Sequence, residues 1–331
     1  MKEALHYTSV DGKGVRCLLC PHECVIEDGD TGICGTRKNE GGRLYALVYD
    51  RMVSVRLDPM EKKPLYHFYP GSQILSLGTA GCSFRCRFCQ NFEISQSSID
   101  DLPSTLLPPA SAVKVARQYE SVGIAYTYNE PLVNFEYILE TASLAKREGL
   151  KNVAVTNGFI NETPLKELLP YMDAANVDVK SLSRSFYSRY CGGRLNDVLR
   201  TVEILQEGGK HVEITNLVIP SLNDSEEELG RLVDWVASLS DKIPLHFSRY
   251  YPCYKMDIPA TPLATLKTAK RIAGKKLKFV YLGNVPEEER SDTVCPDCGR
   301  ALIERRGYDI RIVGLEGKKC ANCGSRADIE R

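Results

Sequence analysis

GTAGCSFRCRFCQN, residues 78–91, follows directly on the strand-like run ILSLG (74–78) and sets Cys82, Cys86 and Cys89 in a C-x3-C-x2-C arrangement. Three thiolates on one tight loop can ligate three irons of a four-iron cluster and leave the fourth iron open to a small molecule. An electron carrier would normally supply four cysteines, so the missing fourth points to catalysis. The competing reading is a partial zinc site completed by a distant residue.

Outward from this loop, short β-branched or apolar runs alternate with amphipathic stretches of helical length, the pattern of repeated βα units around a parallel sheet. The strand candidates after ILSLG are IAYTY (124–128), VAVTN (153–157), ANVDVK (175–180), VEITNLVI (212–219) and LHFS (245–248), with FVYLG (279–283) closing or flanking the sheet. Ser111 precedes one helix, Thr163 caps another with Pro164 at its first position, and Asp224 or Ser225 opens EEELGRLVDWVASL. Six such units in about 210 residues predict an α/β fold with a partial (β/α)₆ barrel, short of the eight units of a full one. A doubly wound open sheet is the alternative.

The chain has 331 residues and 13 Cys, and its 43 Lys plus Arg balance 43 Asp plus Glu. A zero formal charge supplies no global field for a nucleic-acid backbone, so no extended nucleic acid is expected. No run reaches the roughly 20 apolar residues of a membrane span, and MKEALHYTSV lacks the apolar stretch of a secretory signal. A soluble, cytoplasmic protein is expected. There, clustered thiols read as metal ligands before disulfides. Eleven cysteines fall into three groups: Cys17, Cys20, Cys24 and Cys34; the central three; and Cys295, Cys298, Cys320 and Cys323. Cys191 and Cys253 are left over, and a lone Cys is usually a small buried hydrophobe. The expected domains are 1–70, a Cys-rich N-terminal module with a β lead-in that cannot fold on apolar burial alone; 71–290, the barrel; and 291–331, a small zinc-ribbon-like module.

With Phe88 before its last Cys, the central loop resembles the signature of radical S-adenosylmethionine (SAM) enzymes. CQN after Cys89, YNEP (128–131), VTNG (155–158), DVK (178–180) and LVIPSLND (217–224) are similar to the pyruvate formate-lyase activating enzyme branch. CLLCPHEC…GICGTRKN, EKKPLYHFYPG, YLGNVP and CPDCGRALIERRGYDIR together resemble the AmmeMemoRadiSam system radical SAM proteins, named after co-occurring Memo-like and Ammecr-like proteins, which become possible partners. The resemblance implies a [4Fe-4S] cluster on Cys82, Cys86 and Cys89, reductive cleavage of SAM to a 5′-deoxyadenosyl radical acting on an unidentified substrate, and a low-potential ferredoxin or flavodoxin type electron donor.

It also implies that Glu130 contacts the SAM ammonium, a charge-assisted bond. Tyr128 and Asn129 stand where many relatives have two glycines, and the alternative is that Glu130 and Pro131 begin a helix. Thr156, Asn157 and Gly158 end the third strand, where glycine permits close ligand approach. Asp178 and Lys180 share one face of the fourth strand, as SAM-edge residues or as a structural ion pair. Thr215 and Asn216 stand where related enzymes often carry an Arg. Arg249 at a strand end is a candidate polar contact; His246 reads as a core histidine, and His67 could line the mouth.

The knuckles at Cys295/Cys298 and Cys320/Cys323, separated by residues 299–319, read as a tetrahedral Cys₄ site for zinc rather than rubredoxin-like iron. The C-x2-C-x3-C-x9-C set at Cys17, Cys20, Cys24 and Cys34 suits structural zinc, toward which the reading leans, or an auxiliary [4Fe-4S] cluster. Two rival functions remain: a glycyl-radical enzyme activase acting on a partner protein, and a zinc-stabilised scaffold or RNA-binding protein.

Overall fold

The computed structural model describes residues 1–286 and 291–331. Its centre is an eight-stranded sheet: β1 (Ser54–Pro59), β2 (Gln73–Gly78), β3 (Gly123–Tyr126), β4 (Lys151–Thr156), β5 (Ala174–Asp178), β6 (His211–Val218), β7 (Leu245–Arg249) and β8 (Val280–Gly283). Spatial order follows chain order from β1 to β8, and every pair is parallel except β1 with β2. All seven expected strands are present. Their runs are apolar without alternation because helices and neighbouring segments leave almost no strand face to water; Leu75, Leu77, Ile124, Val153, Val177 and Ile214 are all buried.

Six helices join the seven parallel strands: α1 (Pro109–Gln118), α2 (Phe135–Arg147), α3 (Glu162–Leu168), α4 (Leu195–Glu207), α5 (Glu226–Leu239) and α6 (Leu263–Ala273). A doubly wound sheet reverses its strand order at a switch point. This one never reverses, which removes that alternative. Among the described residues no ladder joins β1 to β8, so the sheet is open.

Helix starts correct the sequence reading at two places. Ser111 lies inside α1, which begins at Pro109 because the fixed proline φ suits a first helical turn. Thr163 lies inside α3, which begins after Asn161; that side chain donates to Leu18 O instead of capping. Ser225 caps α5 as expected, accepting from Glu228 N. On α2 the residues Phe135, Ile138, Ala142 and Ala145, spaced three and four apart, form the stripe facing the sheet.

The N-terminal residues form two small antiparallel sheets, but Ala4, Val15, Leu19, Ile26 and Leu44 belong to the same apolar cluster as the main sheet. A buried ion pair fastens them to α2: Arg37 Nη2 lies 2.7 Å from Glu136 Oε1 and 2.8 Å from Oε2. The lead-in strand at 54–59 is part of the main sheet itself.

The C-terminal strands enclose a small core of Leu302, Ile303, Ala327 and Ile329. They dock on the 66–69 segment: Tyr69 N donates to Glu330 O, Glu330 N donates to His67 O, and the buried Arg305 donates to Tyr66 O. His67 therefore does not line a mouth. It is fully buried at this junction, 2.9 Å from Asp328 O and 2.6 Å from Tyr281 Oη, and burial pushes its pKa down to about 4. His246 is a satisfied core histidine, with Nε2 2.6 Å from Glu213 Oε2. The expected end of the barrel domain, residue 290, lies outside the described residues. No described helix is long and apolar enough to cross a membrane.

Candidate functional site

A cavity of about 420 Å³ opens at the C-terminal ends of the parallel strands. Cys82, Cys86 and Cys89 reach it from the loop after β2; Asn129 and Glu130 from the loop after β3; Thr156 and Asn157 from the end of β4; Asp178 and Lys180 from β5. The structure thus brings together every predicted residue of this set except Arg249. That residue is not among the cavity's lining: its Nε donates to Thr261 O at 2.8 Å and its Nη1 to Tyr251 Oη at 3.0 Å.

The three-Cys loop is held from several sides. Gly81 adopts φ +82, and a Cβ there would stand 2.5 Å from Cys34 O, so only glycine lets the two turns meet. The Asn129 amide is spent on the loop: Oδ1 accepts from Thr79 N, and Nδ2 donates to Ala80 O and Gly81 O. Arg85 N and Arg87 N donate to Cys191 O and Tyr190 O, and Gly193 makes room for the Phe84 ring. Phe88 is buried against Phe186.

Polar hydrogens point at the sulfurs. Phe84 N lies 3.3 Å and Asn157 Nδ2 3.7 Å from Cys82 Sγ; Ser95 Oγ lies 3.1 Å from Cys89 Sγ. Burial pushes the Cys82 and Cys89 thiols up, and at Cys86 the hydrogen bond with the neighbouring Cys191 thiol does so first, with burial adding to it. Metal binding would release those protons, since the thiolate is the ligand. Three soft donors opening on one cavity, each with a hydrogen-bonded or tightly packed support, fit a cluster with one open iron.

Glu130 takes the helix-starting role weighed from the sequence, and it also lines the cavity. Its Oε1 accepts from Leu132 N at 3.0 Å, capping the 3₁₀ turn Pro131–Asn134, and from Thr156 Oγ1 at 2.7 Å; its Oε2 accepts from Asn157 N at 2.7 Å. Burial raises its pKa to about 7 against those hydrogen bonds. One acceptor position on Oε2 remains. Asp178 and Lys180 form an ion pair of 2.9 Å at the cavity edge; burial favours the neutral amine, but Asp178 together with the nearby Cys86 and Cys191 sulfurs outweighs it and holds the ammonium. Thr215 lines the cavity, while Asn216 donates to Val179 O and leaves its buried Oδ1 without a partner.

Sequence reasoning missed part of the wall. Tyr128 sits at φ +75, the conformation that glycine adopts easily, held by its hydroxyl on Asp58, by Lys63 Nζ 4.5 Å from the ring centroid, and by Asn91 on its carbonyl. Lys62 and Lys63 line the cavity and both donate to Asp58. The two leftover cysteines both touch the loop: Cys191 lies against Cys86, and Cys253 Sγ lies 3.4 Å from Cys89 O. The EKKPL run was the visible signal for the lysines; single cysteines gave none.

At the other end of the chain, Cys295 Sγ lies 3.6 Å from Cys323 Sγ and Cys298 Sγ 3.7 Å from Cys320 Sγ. These four sulfurs all fall within 4.8 Å of one another. A tetrahedron with 2.3 Å metal–sulfur bonds has edges of ~3.8 Å.

Residues 76–233 match the family model of the Radical SAM superfamily. The uncharacterized protein MJ0808 of Methanocaldococcus jannaschii is 43% identical over 334 residues, covering 99% of each chain. The pyruvate formate-lyase-activating enzyme of Staphylococcus epidermidis is 24% identical over 185 residues, 52% of this chain and 72% of the relative. The crystal structure of Streptococcus suis SuiB bound to S-adenosylmethionine superposes with a TM-score of 0.51 at 16% identity, over 64% of this chain and 52% of that one, a likeness of fold.

Proposed function

This chain belongs to one family with the M. jannaschii protein and carries a Radical SAM superfamily domain, and on that premise we propose that it is an enzyme that cleaves SAM in the 420 Å³ cavity. The observation carrying the proposal is that Cys82, Cys86 and Cys89 share one cavity with Glu130 and the Asp178–Lys180 pair. The three thiolates would hold a [4Fe-4S] cluster, which when bound supplies one electron to the SAM sulfonium, yielding methionine and a 5′-deoxyadenosyl radical.

The remaining steps belong to this chain's side chains. Glu130 accepts the SAM ammonium through the free position on Oε2, and Asn157 and Thr156 hold that carboxylate in place. Asn129 fixes the loop that carries Cys82. Asp178 and Lys180 offer one acceptor and one donor at the nucleoside edge. The strand ends and the Tyr128–Asp58–Lys63 group screen the centre from water, which a carbon radical requires. The C-terminal four cysteines would hold structural zinc.

The test is anaerobic reconstitution of Cys86→Ala beside the parent. Loss of the reduced cluster's EPR signal and of 5′-deoxyadenosine formation is expected; retained cleavage sinks the proposal. Similarity to pyruvate formate-lyase-activating enzymes favours a second reading, abstraction of hydrogen from a partner protein. The flanking motifs that resemble AmmeMemoRadiSam system proteins nominate Memo-like and Ammecr-like proteins as those partners. Label transfer from deuterated candidates to 5′-deoxyadenosine separates a protein substrate from a diffusible one.

A further inference from the structure

The N-terminal thiols have no part in that function. Cys17, Cys20, Cys24 and Cys34 all line a second, smaller cavity of about 20 Å³, whose other walls include Ile26, Leu132, Val133 and Phe159. That volume is the room open to the centre of a water-sized body, so the hole bounded by the surrounding atoms is larger than a single ion needs, and a water-sized sphere touching sulfur has its centre roughly 3.2 Å away. Zinc stands closer, ~2.3 Å from each thiolate, and draws four sulfurs to ~3.8 Å of one another. The C-terminal set shows that closure. Among the described residues it is the one group of three or more such ligand atoms gathered within 4.8 Å, so the N-terminal four stand wider, as the central three do.

A second observation points the same way. Arg37 is 1% exposed and lines this cavity. Its Nη1 donates to Leu5 O and its Nη2 to Glu136, yet its buried Nε has no partner. An orphaned buried donor costs about 1–3 kcal/mol, and hydrogen bonds to sulfur are what tune an iron–sulfur centre. Gly32 keeps the wall thin, since a Cβ there would stand 3.2 Å from Ile26 Cδ1 and 3.8 Å from Cys24 Sγ.

We propose that Cys17, Cys20, Cys24 and Cys34 hold a second iron–sulfur cluster, with Arg37 Nε donating to one of its sulfurs. Four protein ligands leave no iron open, so the chemistry of such a centre is one-electron storage and not substrate binding. It lies beside the catalytic loop: Cys34 O accepts from Cys82 N at 3.3 Å, His22 Nε2 lies 2.8 Å from Ser83 O, and Glu130 lines both cavities. The assignment rests on the N-terminal residues alone and stands whether or not the central loop cleaves SAM.

The experiment counts metals in full-length protein reconstituted anaerobically with iron and sulfide. The variant carrying Cys82→Ala, Cys86→Ala and Cys89→Ala should keep about four irons, a brown colour and a dithionite-reducible EPR signal insensitive to SAM, with one zinc; the parent should hold about eight irons. Two zincs and no iron in the triple variant would overturn the proposal, as would one zinc and no iron. Should that variant fail to fold, the parent and Cys24→Ser decide: an iron content that falls by about four in Cys24→Ser supports the second cluster, and about four irons unchanged in Cys24→Ser refutes it. Equal iron in parent and triple variant would instead sink the central-loop reading and leave this one standing.

Discussion

Glu130→Gln separates the structural and the catalytic duties of one carboxylate. In the folded chain its two oxygens accept three internal hydrogen bonds, from Leu132 N, Thr156 Oγ1 and Asn157 N. A glutamine keeps one acceptor oxygen and turns the other position into a donor. If the amide oxygen stays with Leu132 N and Thr156, its NH₂ faces Asn157 N, and one buried donor pair is left unmade at about 1–3 kcal/mol. The charge lost is a separate quantity. A charge-assisted bond to the SAM ammonium contributes about 1.5–3 kcal/mol, so SAM binding should weaken by roughly tenfold to a hundredfold. Cluster content should stay at the parent level, because no sulfur ligand is touched. The assay is SAM titration of the reconstituted variant, followed by EPR, with urea unfolding of the same preparation. Burial raises the Glu130 pKa to about 7, so parent SAM affinity should climb between pH 6 and 8 as the carboxylate ionises and level off above. In the variant that slope should vanish. A destabilised protein with unchanged SAM affinity and an unchanged pH profile would refute the ammonium contact and reduce Glu130 to a cap.

Other measurements follow from the same structure. Glu136→Gln leaves Arg37 charged and buried beside a neutral amide, and should lower unfolding stability by about 3–5 kcal/mol in urea. Cys320→Ala should remove one zinc equivalent and leave iron unchanged, and elemental analysis showing iron lost instead would reverse the metal assignment at the C-terminal set. His67 is held neutral by burial with a folded pKa of about 4, against roughly 6.5 in the unfolded chain. A depressed histidine contributes stability that is present above pH 6.5 and lost as pH falls toward 4, on the order of 3 kcal/mol in all. The gap between parent and His67→Gln in urea midpoint should therefore shrink from pH 7 to pH 5; a gap that widens would show that the junction prefers the charged ring.

What the sequence disclosed and what it hid divides along physical lines. Buried parallel strands need unbroken apolar runs, so IAYTY, VAVTN and VEITNLVI could be seen, and the runs placed all seven strands. Helix starts depend on local competition: at Pro109 ring geometry outranked the hydroxyl of Ser111, and Asn161 gave its amide to Leu18 O, a partner 143 residues away. The cysteine loop was legible because its chemistry resides in spacing. The residues that make it work were not, because their meaning lies in long-range pairing. Asn129 reads as half of a missing glycine pair, yet its amide spans to Thr79, Ala80 and Gly81. Asp58 and Lys63 look like lead-in charges until the cavity shows Tyr128 resting on both. Cys191 and Cys253, set aside as lone hydrophobes, each contact a different cysteine of the loop. The same reasoning explains why spacing left the N-terminal quartet open between zinc and a cluster. C-x2-C-x3-C-x9-C fixes the order of four donors along the chain but not the size of the hole among them. That size is set by Gly32, by the Arg37–Glu136 clamp and by the closeness of Gly81 to Cys34, none of which is itself a ligand. Metal identity at such a site is a property of the walls, which is why counting irons in the triple variant tests it and lengthening the motif search does not.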